Sequence, residues 1–173
     1  MATQGFLARV AGKTKQIFAI ATSAGAADAG KIPALDSTGR IDTSMMPVGI
    51  GANTTQATAS EAIGAGKFIN YWDNAGVFSM RLADNSNGRQ ADGYVTAAVA
   101  SGAVGTGYPL DSTNAQLTGL TVGTRYWLGT AGGVTPTPLD EAVAGNANKI
   151  SQYLGVAKST TELVTDDQGH VVL

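Results

Sequence analysis

The sequence predicts an all-β protein in which a compact β-barrel or β-sandwich body, residues 52–173, follows an extended N-terminal arm, residues 1–51. From Asn53 onward, short apolar or alternating runs are separated by turn residues, a pattern typical of antiparallel sheets. The arm instead combines a glycine- and alanine-rich tract with two prolines, which favours extended or irregular backbone. Helix candidates are confined to residues 58–63 and 140–144, each little more than one turn.

The strands of the body are expected in a regular succession along the chain. Residues 65–72 and 77–83 flank a turn-forming tetrapeptide and predict a hairpin. The run 134–138 holds two prolines, which cannot donate to a ladder, so it is expected at a sheet edge or outside the sheet. Residues 101–107 predict a glycine-rich loop. The remaining candidate strands are residues 93–100, 125–129, 150–157, 162–165 and 170–173, and in the arm residues 16–21.

The supply of large core side chains is small. The chain has 23 glycines and only 6% aromatic residues, so we expect it to gain stability from neighbouring molecules. Tyr126 and Trp127 are adjacent and must face opposite sides of a strand, which places one in the core and the other at the surface or in an interface. Trp72 is expected in the core.

Charge is sparse and unevenly distributed. Only 14% of residues are charged, the net charge is -2, and the arm is mildly basic whereas the body is acidic. Nucleic-acid binding is not expected, because a concentrated basic stripe is missing. The basic end of the arm, Arg9, Lys13 and Lys15, leaves two interpretations open: docking on an acidic protein surface, or a solvated terminus.

The inventory of chemically active side chains argues against an enzyme. There are no cysteines, so thiolate metal sites are excluded, and His170 is the only histidine. The adjacent Asp166 and Asp167 point apart in a strand and form no carboxylate dyad. The glycine-rich segments lack the spacing of phosphate-binding loops. We therefore expect no catalytic residue, no cofactor and no metal, and neither an export signal nor a membrane span.

Two stretches resemble a known group of proteins. Residues 30–42, GKIPALDSTGRID, continuing through Met45 and Met46 to Gly51, resemble a segment of capsid decoration and other head-associated proteins of tailed bacteriophages. Residues 117–128, LTGLTVGTRYWL, with 132–136 and 152–157, are similar to a β module shared by those proteins and by some phage fibre proteins.

The resemblance implies a function in the virion. It implies a β-rich structural protein that forms a homo-oligomer, a dimer or trimer, and binds the outer face of the major capsid protein lattice, cementing the head. The protein would be made in the host cytoplasm and located on the capsid exterior. The alternative within virions is a tail-fibre or tail/vertex adaptor protein. A third class, a small glycan-binding or hydrolytic β-domain, would need clustered aromatics and paired carboxylates in one cleft.

Within this interpretation, the arm lies along a neighbouring subunit or the capsid surface. An extended arm can add strands or wrap a partner over a large area. Further apolar anchors are expected at Phe6, Leu7, Ile17 and Ile20. The residues predicted to bind the partner are Arg9, Lys13, Lys15, Phe18, Ile32, Leu35, Met45 and Met46.

Overall fold

The computed structural model describes residues 5–46 and 53–173 and divides the chain into two compact units, Met1–Ala52 and Asn53–Leu173. The last part of the phage-like segment, residues 47–51, lies outside the described residues. Within the described ranges every long element is a β-strand, and the helices are three short 3-10 turns, so the all-β prediction is confirmed. These turns are Gly25–Asp28, Thr43–Met45 and Ala144–Asn146.

The first unit begins with a β-hairpin. Strands β1 (Gly5–Val10) and β2 (Lys13–Phe18) pair antiparallel across a two-residue turn, Ala11-Gly12. Both turn residues have positive φ, 51° and 79°, as a tight hairpin turn requires. The sequence predicted a strand at 16–21 and missed the hairpin, because alanine rarely adopts this conformation and Ala-Gly is not a recognised turn signal.

The chain after the hairpin folds back on itself through a single parallel bridge. Ile20 pairs with Pro33, and the Ile20 N–H donates to the Ile32 carbonyl at 3.0 Å while the Ala34 N–H donates to the Ile20 carbonyl at 2.8 Å. Residues 36–39 form a tight turn, with the Gly39 N–H donating to the Asp36 carbonyl at 3.1 Å. Backbone bonds therefore order this segment although it contains little regular structure.

The second unit opens with a closed five-stranded barrel. Its strands are β3 (Thr55–Ala59), β4 (Phe68–Asn74), β5 (Val77–Leu82), β6 (Gly93–Val95) and β7 (Val104–Tyr108). They close in the order β3-β5-β4-β6-β7, with β3 and β5 parallel and all other pairs antiparallel. The predicted β4–β5 hairpin is confirmed, whereas the helix predicted at 58–63 is wrong.

The loop predicted at 101–107 is also wrong over its second half, which forms β7. Gly105 and Gly107 face the barrel interior, where a Cβ at either position would collide with the tips of Met80 and Tyr71. Ile69, Met80 and other fully buried side chains fill that interior. Glycines that signal a loop in the sequence are thus the small wall residues that a narrow barrel needs.

An antiparallel sheet covers one side of the barrel. Its strands are β8 (Thr113–Asn114), β9 (Arg125–Leu128), β10 (Val134–Thr135), β11 (Ile150–Ala157), β12 (Leu163–Thr165) and β13 (His170–Val172). The order is β10-β9-β11-β12-β8, and β13 also pairs with β11. The proline-containing run lies at the edge as predicted. The helix predicted at 140–144 is wrong, because only a 3-10 turn at Ala144–Asn146 forms there.

The main hydrophobic core lies between the barrel and this sheet. Phe68 and Tyr94 from the barrel pack with Leu128, Leu154 and Leu163 from the sheet. Tyr126 is buried in the same core and its neighbour Trp127 is only half-buried, which confirms the opposed pair. Trp72 shares the outer face of β4 with the core residue Phe68, but it is half-buried and belongs to neither core cluster, so its expected place in the core is wrong.

Three buried amide side chains connect the barrel and the sheet. Asn85 Nδ2 donates to the Leu128 carbonyl at 2.8 Å, and Asn114 Nδ2 donates to the Gly66 carbonyl at 2.9 Å. Gln152 makes two bonds to Ala91: its Oε1 accepts the N–H at 2.7 Å and its Nε2 donates to the carbonyl at 2.8 Å. These bonds satisfy backbone groups that would otherwise be buried without partners.

The β4–β5 turn gives a first prediction. Ala75 and Gly76 both have positive φ, 52° and 85°, and alanine in that region costs about 1 kcal/mol. We expect Ala75→Asn to stabilise the body by about 0.5–1 kcal/mol, because asparagine tolerates the left-handed conformation and Asn-Gly is the preferred pair. Denaturant unfolding measures the change. Ala142→Asn, in an exposed turn without positive φ, is the control, and a lower midpoint for Ala75→Asn would contradict the prediction.

Candidate partner-binding surfaces

One face of the N-terminal hairpin exposes large apolar side chains. Alternation along β1 and β2 places Leu7, Arg9, Gln16 and Phe18 on this side, called here the Leu7 face. Leu7 is 75% exposed and Phe18 is 50% exposed, with the Phe18 ring lying over Gly5. An apolar pair this open, next to an arginine, is a surface that another molecule can cover.

The opposite face of the hairpin carries the two lysines. Lys13 and Lys15 lie on the same side as Phe6 and Ile17, which pair across the strands and are half-buried. The predicted basic group is therefore divided, because the strand pleat places Arg9 on the other face. Among the residues that the structure describes, none of these three cations forms an ion pair. Their charges are available to an acidic partner.

The predicted apolar anchors beyond the hairpin are also open to solvent. Ile32, Leu35 and Met46 are exposed, while Met45 is half-buried. Between them the Asp36 carboxylate accepts hydrogen bonds from the Thr38 hydroxyl at 2.7 Å, the Thr38 N–H at 2.7 Å and the Arg40 N–H at 3.0 Å. These bonds, the Thr38 hydroxyl first, lower the pKa of Asp36. The turn stays ordered while the flanking apolar side chains remain exposed.

The described part of the first unit has no buried residue. Over residues 5–46, each residue whose burial is described is exposed or half-buried. Hydrophobic burial is the dominant favourable term in folding, so this segment gains little of it from its own side chains. The large apolar side chains that it exposes are Leu7, Val10, Phe18, Ile32, Leu35, Ile41 and Met46.

The barrel carries a polar cleft of about 330 Å³ around Trp72. Its principal side chains, called here the Trp72 cluster, are Ser60, Glu61, Trp72, Arg81 and Arg89. The Arg81 guanidinium lies 4.5 Å from the centre of the Trp72 ring, and Arg89 Nη1 lies 3.6 Å from Glu61 Oε1. The sequence pointed to Trp72 but to neither arginine, because four separate segments supply the cluster and their register is not readable from periodicity.

The outer face of the sheet carries a second aromatic groove, of about 310 Å³. Trp127 and Tyr153 are opposite one another on β9 and β11, with ring centroids 5.8 Å apart and ring planes at 70°. Arg125 and Gln168 complete the lining. Gln168 Nε2 donates to the Asp166 carboxylate at 2.6 Å. Trp127 was predicted for the surface or an interface, and its partner on β11 was not foreseen.

The expectations from the sequence also concern metal-binding groups, membrane-spanning helices and the polar residues His170, Asp166 and Asp167. Over residues 5–46 and 53–173 there is no group of three or more histidines, cysteines or acidic residues arranged to hold a metal ion. In the same ranges, no helix has the length and apolar character needed to cross a membrane. His170 is exposed on β13, and Asp166 and Asp167 are exposed beyond β12.

Comparisons with known proteins give one structural likeness. No family model matches the sequence, and no curated protein matches it. Among solved structures, the crystal structure of the head fiber gp8.5 N base of bacteriophage phi29 is similar, with a TM-score of 0.44 and 17% sequence identity. The similarity covers 67% of this chain and 95% of that one.

Proposed function

We propose that this protein is a non-enzymatic virion structural protein of a tailed phage that binds the outer surface of the major capsid protein lattice and cements the head. The resemblance of residues 30–51, 117–128, 132–136 and 152–157 to head-associated phage proteins supports the class. The observation that carries the proposal is the first unit itself, which is ordered yet has no buried residue among those described. Such a unit gains its hydrophobic stabilisation from a partner surface.

The Leu7 face is the part of this unit best suited to a protein surface. Covering an exposed leucine or phenylalanine contributes about 1.5–3 kcal/mol, and both are present beside Arg9. Aromatic and arginine side chains are enriched at the centres of protein interfaces. The capsid partner would therefore present an apolar depression with an acidic group at its rim.

The proposal has further parts. The protein would use no cofactor, would bind neither nucleic acid nor membrane, and would assemble on the capsid exterior after synthesis in the host cytoplasm. Self-association as a dimer or trimer belongs to it, because the body also leaves Val77, Phe78 and Val104 exposed on the barrel. Light scattering of the purified protein gives the oligomeric state.

The decisive variant removes the apolar character of the Leu7 face. Leu7→Glu with Phe18→Glu should lower capsid affinity by at least about a hundredfold, because two buried apolar contacts become buried charges. The control, Val171→Glu with Val172→Glu, alters two equally exposed valines on β13 and should bind normally. The assay is co-sedimentation with heads stripped of the protein, with unfolding midpoints measured alongside. Unchanged occupancy of the Leu7-face variant would contradict the proposal.

Copy number in purified virions separates decoration from the fibre or adaptor alternative. Shell-wide decoration predicts about one or about one-half copy per major capsid subunit, because a lattice repeats its binding sites. Quantitative mass spectrometry of virions gives this ratio. A few copies per hundred major capsid subunits would favour a fibre or vertex adaptor, and absence from virions would overturn both functions.

A further inference from the structure

The Trp72 cluster contains an arginine that is held in place while its outer donors stay uncommitted. Arg81 Nε donates to Asn70 Oδ1 at 2.9 Å, and the guanidinium plane lies 4.5 Å from the Trp72 ring centre. Among the described residues, the Nη groups of Arg81 form neither a hydrogen bond nor an ion pair. The Nε donor anchors the side chain, whereas the two Nη groups, which can make a bidentate contact, are free.

The orientation of Asn70 shows that this pose is set by the protein. Asn70 Nδ2 donates to Asp92 Oδ2 at 2.9 Å, and a carboxylate only accepts, so Asn70 Oδ1 must face Arg81. The same Asp92 oxygen accepts the Tyr71 N–H at 2.7 Å, and its other oxygen accepts Gln90 Nε2 at 2.8 Å. Asp92 is thereby committed to fixing Asn70. Arg81 is preorganised through Asn70, which lowers the entropic cost of binding a ligand.

The indole of Trp72 is fixed as well. Its Nε1–H donates to Ser60 Oγ at 3.3 Å, and the Ser60 N–H donates to the Met80 carbonyl at 2.9 Å. The ring therefore forms a stationary wall under the Arg81 guanidinium. Stacking on an aromatic face is a property of arginine that lysine does not share to the same degree.

The charges around the cleft leave the cations incompletely neutralised by hydrogen bonds. Glu61 Oε1 accepts the Leu82 N–H at 2.9 Å and lies 3.6 Å from Arg89 Nη1, beyond ordinary hydrogen-bond length. Burial, and then the nearby Arg89 charge, lower the pKa of Arg81. A second anion in the cleft would relieve the repulsion between the two guanidinium groups.

We propose that the Trp72 cluster binds a carboxylate group, with Arg81 providing the bidentate contact, Arg89 the second positive charge and Trp72 the wall. The cleft of about 330 Å³ accommodates one acidic side chain of another polypeptide or a free small carboxylate. The site lies wholly in the body and does not depend on the Leu7 face. Its ligand chemistry goes beyond the proposed capsid function.

The test uses the full-length protein and its two tryptophans. Trp72 reports on the cleft and Trp127 lies in the other groove, so their two indole N–H signals in a proton–nitrogen NMR spectrum provide probe and internal control. The titrants are the peptide acetyl-Gly-Glu-Gly-amide, its glutamine analogue, and sodium acetate. We expect saturable movement of the Trp72 signal with the glutamate peptide, at a Kd in the millimolar range.

The titrations distinguish a small carboxylate from an acidic side chain as the ligand, and they can overturn the proposal. An acetate shift of similar affinity would assign the site to small carboxylates, whereas tighter binding of the peptide would assign it to acidic side chains. Arg81→Lys should weaken binding at least about tenfold, because an ammonium offers no fork, while Arg125→Lys should not. The proposal is overturned if the glutamine peptide shifts the Trp72 signal as much as the glutamate peptide does. It is also overturned if both indole signals shift alike, or if neither shifts. The wild-type titration decides even where Arg81→Lys fails to fold.

Discussion

Replacing Gln152 by leucine should destabilise the body by about 2–5 kcal/mol, enough to unfold a marginal domain. Gln152 is 3% exposed and its amide pairs with both backbone groups of Ala91. Leucine fills a similar volume but leaves the Ala91 N–H and carbonyl buried without partners, and each loss costs about 1–3 kcal/mol. Denaturant unfolding of the full chain measures the change. Gln116→Leu, at an exposed position, is the control and should stay within about 0.5 kcal/mol.

A second substitution at the same position distinguishes hydrogen bonding from packing. In Gln152→Glu one carboxylate oxygen can still accept the Ala91 N–H, but the other faces the Ala91 carbonyl and binds well only when protonated. The pKa of this carboxyl is therefore raised on folding. Its stabilising contribution is present below the unfolded pKa and is lost as pH rises through the folded one. The free energy of unfolding of Gln152→Glu, compared with wild type at the same pH, should therefore rise as the pH is lowered. A difference between the two proteins that does not change with pH would contradict the hydrogen-bond account.

Gly155→Ala should be at least as damaging, with a loss of about 3 kcal/mol or more. Gly155 has a φ of 150°, and a Cβ there would collide with the Val164 carbonyl oxygen on β12. That oxygen belongs to backbone held between β11 and β8, so it cannot shift cheaply. The position also adjoins the irregularity in the β11–β9 pairing, where the register shifts between Tyr153 and Gly155.

Gly145→Ala is the matched control for this change. Gly145 has no positive φ, and no atom lies within 4 Å of the position that a Cβ would occupy, so the substitution should stay within about 0.5 kcal/mol. The readouts are soluble yield and the denaturant midpoint. Equal midpoints for the two alanine variants would show that the β11–β12 backbone accommodates a side chain at Gly155.

The sequence predicted those elements whose local pattern matches their environment. Burial alternates along β11 from Ile150 to Leu154, before the irregularity at Gly155, and the β4–β5 hairpin has a turn signal between two apolar runs. The residues of β3 and β7, TQATA and VGTGY, are instead mostly threonine, alanine and glycine. Met80 and Tyr71 project from other strands of the barrel and leave no room for a side chain at Gly105 and Gly107 of β7. That reason lies in tertiary packing and is not visible in a window of sequence.

In the candidate surfaces, too, some features are readable from the local sequence and others depend on tertiary structure. The sequence identifies Phe18, Ile32 and Leu35 as candidate anchors, because a large apolar side chain in a segment without a core has few places to be buried. All three side chains are exposed, and their binding role stays a prediction. The separation of Arg9 from the lysines depends on the hairpin register, which the missed Ala11-Gly12 turn fixes. The pairing of Arg81 with Trp72 likewise requires the register of β4 on β5.

The closure of the barrel has a consequence for the order of events during synthesis. Strand β3 leaves the ribosome before its partners, and Gln56 pairs with Thr106 on β7, the last barrel strand to be made. The edge of β3 that pairs with β7 must wait unpaired while that intervening chain is translated, a delay in which exposed edges can aggregate. The sequence of β3, TQATA, has no large apolar side chain. A strand so weakly hydrophobic can remain exposed until late in folding with little tendency to recruit the wrong neighbour.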